Sequence, residues 1–209
     1  MQTEARVIDL SKSEYGTFAA PDTNRVIRNT YKLLALSTGV AAVGAGISML
    51  AGFGPLTGIV FTLLGLVPLF YLSKHRDSAS AVPAMLTFTG LSGLGLGPIL
   101  THYLSLPGGS ATVMTAAVLT TAVTLALTGY VHKTGKDFTR MGGFLFAGLI
   151  VVLLASIAAI FVPAMQAGVS AVAALLFSGF ILFDTSRLIR GEEDNYVMAA
   201  CSMYLNVLN

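Results

Sequence analysis

The chain alternates between long stretches with no charged side chain and short charged punctuation. Lys32 and Lys74 bracket 41 uncharged residues, Asp77 and Lys133 bracket 55, and Arg140 and Asp184 bracket 43. A helix crosses the ~30 Å hydrocarbon core of a bilayer with roughly 20 residues. Each tract therefore holds two crossings, and each carries a breaker near its middle. Gly52-Phe53-Gly54-Pro55 divides predicted spans at 31–52 and 56–73. Ser105-Leu106-Pro107-Gly108-Gly109-Ser110 divides 82–104 from 111–132, and Val162-Pro163 to Gly168 divides 143–162 from 167–188. Glycine weakens a helix through backbone entropy, and proline lacks the amide donor. Backbone facing lipid must stay helical, so these breaks belong at the water interface. The pattern predicts three helical hairpins.

Beyond the acidic run Glu192-Glu193-Asp194, fifteen uncharged residues follow. As a helix, 196–209 is ~21 Å long, too short to cross alone. It reads either as a half-span buried among the others or as a span whose chain continues past Asn209. Residues 1–29 hold four basic and four acidic residues and no sustained helical stripe. With no export-signal pattern there, they read as a flexible cytosolic tail ahead of a transmembrane domain over 30–209.

Composition agrees with the pattern. Charged residues are 11% of the chain, against about 25% in soluble domains, hydrophobic residues are 55%, and the mean hydropathy is +0.78. So little charge cannot coat a water-soluble globule, and the implied partner is a lipid bilayer. A net charge of +2 is too small to point to nucleic acid. The single cysteine, Cys201, excludes a disulfide framework and any cysteine-based zinc site. All twelve Lys and Arg lie before Leu33, in 74–76, in 133–140 or in 187–190, and none lies at a hairpin tip. The positive-inside rule then places the N-terminus in the cytoplasm and the tips outside.

Asp184 is the most unusual residue, a carboxylate in Phe180-Ile181-Leu182-Phe183-Asp184-Thr185 near the end of the sixth span. An acid at membrane depth faces a bundle interior or a water cavity and marks ion or proton pathways. The alternative is an interface residue paired with Arg187, three positions on and on the same helical face. Ser202, Asn206 and Asn209 recur at i, i+4 and i+7, one polar stripe on the last helix. That stripe reads equally as interhelical hydrogen bonding or as the lining of a pore opposite Asp184.

Gly90-Leu91-Ser92-Gly93 has the GxSG form of intramembrane serine proteases, but His102 lies ten residues along the same helix, ~15 Å of rise away. Gly93 and Gly97 form GxxxG, and a glycine packing face accounts for the segment better. His102 and His132 both border interfaces, and no histidine pair or HExxH motif has metal-ligand spacing. Lys133, Lys136, Asp137 and Arg140 read as a solvated loop, and Cys201 as a packing residue. Neither a cofactor, a metal nor an enzymatic activity is expected.

Together these residues resemble a known family. Thr87-Phe88-Thr89-Gly90-Leu91 leading to Gly97-Pro98-Ile99-Leu100 is similar to the third-span motif of the Bax-inhibitor (transmembrane BAX-inhibitor-motif) family. Lys136-Asp137-Phe138-Thr139 with Met141-Gly142-Gly143 resembles its loop before the fifth span. Phe183-Asp184-Thr185-Ser186 and Met203-Tyr204-Leu205-Asn206 resemble its two C-terminal signatures. Val26-Ile27-Arg28-Asn29-Thr30-Tyr31, and Gly191 through Asn195-Tyr196, are similar to the bacterial YccA-like branch.

The resemblance covers about residues 25–209 and implies an all-α, seven-transmembrane bundle in a bacterial inner membrane. It also implies a seventh helix that runs further than Asn209. Two functions come with it. Members of the YccA-like branch modulate the membrane protease FtsH, which engages cytosolic tails such as 1–29. Other members are pH-sensitive calcium leak channels with two aspartates between the last two helices. Asp184 matches the first, and Asn206 stands where the second is expected. The ion-pathway or pH-sensing candidates are therefore Asp184, Arg187, Ser202 and Asn206, with calcium ion as the permeant species.

Overall fold

In a computed structural model describing residues 20–209, seven α-helices follow one another in the order the pattern requires. They are α1 (Ala20–Leu50), α2 (Pro55–Lys74), α3 (Ala81–Ser105), α4 (Gly109–Thr134), α5 (Gly142–Phe161), α6 (Gln166–Ile189) and α7 (Tyr196–Leu208). The first six are long and apolar enough to cross a membrane, and α7 is a shorter apolar helix. No strand occurs among the described residues. The chain is a multi-pass, all-α membrane protein.

Two boundaries differ from expectation. Helix α1 begins at Ala20, so residues 20–29 are helical rather than part of a tail; residues 1–19 of that expected tail lie outside the described residues. In the third hairpin a single 3-10 turn, Pro163–Met165, already reverses the chain, and Gly168 falls inside α6. At the first two tips Gly52 and Gly108 take φ of 65° and 74°, left-handed values that side chains with a Cβ rarely adopt.

Glycine sets the architecture of the N-terminal half. Helix α3 lies between α1 and α2, and two of its faces are stripped of side chains. A Cβ on Gly93 would meet the carbonyl of Ala41, and one on Gly97 would meet the side chain of Ser48, both in α1. Gly95, two residues on and so turned to the opposite side, looks at α2, where a Cβ would meet the Thr62 hydroxyl. Helix α1 reciprocates at Gly44, whose added Cβ would lie 2.7 Å from the Gly90 carbonyl oxygen. Lipid supplies no hydrophobic force between helices, so close backbone approach of this kind is what binds them. The GxSG segment belongs to this seam, and the Ser92 hydroxyl donates back to the Phe88 carbonyl at 2.9 Å.

Helix α7 is the centre. Val197, Ala199, Ala200, Cys201, Met203, Tyr204 and Asn206 are buried, and Met198, Ser202 and Leu205 on the remaining face are half-buried. Such a helix is an interior element rather than a lipid-facing one. Leu33, Met85, Phe88, Ala200 and Tyr204 form the main core cluster, with the Tyr204 ring set edge-on to Phe88 at 5.7 Å. Leu145, Val152 and Leu176 form a second cluster between α5 and α6.

Gly93→Ala is expected to cost about 1–3 kcal/mol, the usual penalty of overpacking, because its Cβ lands on backbone that cannot step aside. Gly46→Ala, where a Cβ meets nothing within 4 Å, is expected to unfold like the parent. Thermal unfolding in detergent, followed by circular dichroism, distinguishes the two.

Candidate functional site

The site forms where α6 and α7 converge. Asp184 is buried, 8% exposed, in the C-terminal half of α6, a turn before the basic residues Arg187 and Arg190. Ser202 and Asn206 stand one turn apart on α7, which places both on the face that meets it. The Ser202 hydroxyl donates to Asp184 Oδ2 at 2.5 Å, and the Asn206 amide nitrogen donates to the same oxygen at 2.7 Å. A carboxylate removed from water is tolerated when protein donors replace its hydration, and these two side chains supply them.

Arg187 does not join this cluster. Its guanidinium pairs with Glu193 at 3.2 Å in the α6–α7 loop, and it lies over the Phe183 ring at 5.6 Å. The alternative weighed from the sequence, an interface Asp184 paired with Arg187, is not the ion pair that forms. Three residues of helix carry the two side chains to the same face, but Glu193 offers Arg187 an ionised partner at the rim, where both keep part of their hydration. Asn209 does not reach Asp184; its amide donates to the Leu205 carbonyl at 2.8 Å.

Beside Asn206 opens a cavity of about 190 Å³ between α4, α6 and α7. Its polar lining is Thr120, Thr124, Ser178, Asn206 and Asn209, and the buried Thr124 hydroxyl has no hydrogen-bond partner among the described residues. A larger cavity of about 450 Å³ lies between α2 and α3, lined by apolar residues with Thr62 and His102, and shares no residue with the first. Calcium takes six to eight oxygen ligands. Among the described residues no group of three His, Cys, Asp or Glu side chains could hold a metal ion. As arranged, the cluster solvates a carboxylate and joins two helices.

Around this centre the loops on the basic side are tied together by residues that hydrophobic patterning passes over. Asn195 caps α7, its Oδ1 accepting from the amides of Val197 and Met198 at 3.0 Å each. Its Nδ2 donates to the Arg76 carbonyl at 2.8 Å and to Asp77 at 2.9 Å, linking α7 to the α2–α3 loop. The Ser186 hydroxyl, two residues from Asp184, donates to the Lys136 carbonyl and accepts from the Phe138 amide, each at 3.3 Å. Asp137 accepts from the hydroxyl and amide of Thr139 at 2.7 and 2.9 Å and pairs with Arg190 at 3.5 Å. The Thr139 donors, then the Arg190 charge, hold the Asp137 carboxyl below its ordinary value. An Asn just ahead of an apolar run was the one signal that could have exposed Asn195 as a cap.

Comparison with known proteins decides the family. The family profile described as "Inhibitor of apoptosis-promoting Bax1" matches residues 23–209. The chain belongs to the Bax-inhibitor family. An uncharacterised membrane protein of Vibrio cholerae is 44% identical over 90% of this chain and 86% of its own length. The Escherichia coli K12 protein named "Modulator of FtsH protease YccA" is 40% identical over 90% of this chain and 86% of its own length. An uncharacterised protein of Pseudomonas aeruginosa is 37% identical over 88% of this chain and 84% of its own length. The resemblance of the motifs to the YccA-like branch is thereby confirmed.

Two outcomes test this Bax-inhibitor rim. Asn195→Ala removes a cap and a bridge together and is expected to lower stability by about 1–2 kcal/mol in detergent unfolding. For Asp137, a lowered native value means its stabilisation is present above the ordinary carboxylate range near ~3.9 and lost as pH falls through the native value. Asp137→Asn should therefore unfold at lower temperature than the parent near neutral pH and converge with it in acid.

Proposed function

We propose that the chain is an inner-membrane, multi-pass protein with its N-terminus in the cytoplasm, modulating proteolysis of membrane proteins by an FtsH-type protease. The observation that carries this reading is the 40% identity, across nearly the whole transmembrane bundle, to a protein named for that role. The orientation rests on the positive-inside rule, because every Lys and Arg lies on the side of the N-terminus. Residues 1–19, ahead of α1, are the proposed handle for the protease, and no enzymatic activity is part of the reading. In cells, deleting residues 2–19 is expected to reduce co-purification of FtsH at least tenfold. Unchanged recovery would overturn the handle. Membrane substrates of FtsH that turn over at the same rate with and without the protein would overturn the function.

A second reading, a pH-sensitive calcium leak, is favoured by one feature, the polar cavity that adjoins Asn206 and through it Asp184. A single carboxylate would then do the work that two aspartates share elsewhere in the family. In proteoliposomes, calcium influx from pH 6 to 8 should depend on pH, and Asp184→Asn should flatten that dependence. No flux above empty vesicles would remove this reading and leave Asp184 as the joint between α6 and α7.

A further inference from the structure

One face of α1 joins two exposed patterns, a basic one and an apolar one. At its N-terminal end Arg25, Arg28 and Lys32 are exposed and fall at i, i+3 and i+7, within about 60° of one another around the helix. None of them makes an ion pair among the described residues, as holds also for Lys74, Lys133 and Arg140, whereas Arg76 pairs with Asp77, Arg187 with Glu193 and Arg190 with Asp137. Further along the same face the exposed residues are apolar: Leu36, Val43, Ile47 and Leu50, the last 92% exposed. Gly39 leaves a notch between Leu36 and Val43, where an added Cβ would meet nothing within 4 Å.

The basic segment is fixed both in depth and in orientation. The Thr30 hydroxyl donates to the Tyr196 carbonyl at 3.5 Å, and Thr23 lies against Gly191. This stretch of α1 therefore runs alongside the α6–α7 loop. Val26, Ile27 and Tyr31 pack against Leu188, Ala199 and Met203 on the opposite side, which turns the basic stripe outward.

We propose that this face seats an anionic phospholipid of the leaflet that the N-terminal end of α1 enters. Its headgroup phosphate lies on Arg25, Arg28 and Lys32, and an acyl chain follows the apolar face past Gly39. Three cations spread over ~10 Å of helix match a charged headgroup layer, and the apolar run begins one turn deeper, as in the lipid itself. Basic clusters immediately beside a membrane helix attract anionic lipids, and rigid presentation on a packed helix adds selectivity that a loose segment lacks. A partner helix would need acidic side chains at this depth, whereas the leaflet already supplies phosphates.

The test is native mass spectrometry of the full-length protein released from detergent, titrated with phosphatidylglycerol or phosphatidylethanolamine. The parent is expected to retain phosphatidylglycerol at least fivefold better. The triple change Arg25→Gln, Arg28→Gln, Lys32→Gln should abolish that preference. The triple change Lys74→Gln, Lys133→Gln, Arg140→Gln, which removes equal charge on the same side of the bundle, should preserve it. Gly39→Leu, which leaves every charge in place, should weaken retention of both lipids by filling the notch. Equal loss in both triples, or no preference in the folded parent, would overturn the proposal. So would disulfide-linked dimers of Leu36→Cys forming in native membranes, since the face would then be covered by a second copy.

Discussion

Hydrocarbon offers no hydrogen-bond partner, so a polar group placed at membrane depth must bring its own or find one on a neighbouring helix. Asp184 is the most demanding group in this bundle, and the geometry of the last two helices follows from satisfying it. Helix α7 has to lie against α6 with Ser202 and Asn206 turned inward, both aimed at one oxygen. With that face committed, its remaining circumference meets α1, α3 and α4, and the helix becomes the axis around which the spans are arranged.

The same constraint governs the rim. Loops cross between helices where backbone groups are exposed to partial hydration, and four side chains close the gaps there. Asn195 joins the start of α7 to the α2–α3 loop, Ser186 and Arg190 join the end of α6 to the α4–α5 loop, and Glu193 holds Arg187. Ser186 and Arg187 are near neighbours of Asp184 on α6. A change at the buried carboxylate that shifted α6 against α7 would therefore be felt at three loops on one side of the membrane. That coupling is the physical ground on which either proposed function stands. A modulator must present one face to a partner, and a leak must connect a buried acid to an opening.

The two halves of the bundle are held by different means. Between α1, α2 and α3 the backbones approach across glycine, with van der Waals contact over a long seam. Between α6 and α7 a few hydrogen bonds to a single carboxylate do the joining. Glycine seams are insensitive to protonation and resist sliding. A carboxylate joint responds to its surroundings, so any conformational response is expected to be confined to the C-terminal half, where the cavity beside Asn206 also lies.

The spans, their breaks and the sidedness of the basic residues were legible along the chain, because exclusion of charge from hydrocarbon is a one-dimensional rule that acts on each segment by itself. Gly93 and Gly97 could also be read as a packing face from their spacing alone, and Asp184 stood out by its cost. The meeting of Asp184 with Ser202 and Asn206 could only be hoped for, since helical periodicity gives the face a residue occupies but not which helix that face meets. Arg187 shows the limit most plainly. Its spacing from Asp184 allowed a pair, and tertiary structure gave it to Glu193 because the loop brought a competing carboxylate to the rim. The start of α1 at Ala20 was missed for a related reason: residues 23–31 are too charged to look like a span and are helical because Val26, Ile27 and Tyr31 dock on α6 and α7. Local chemistry determined what must lie in the membrane, and long-range packing decided which polar groups would find each other there.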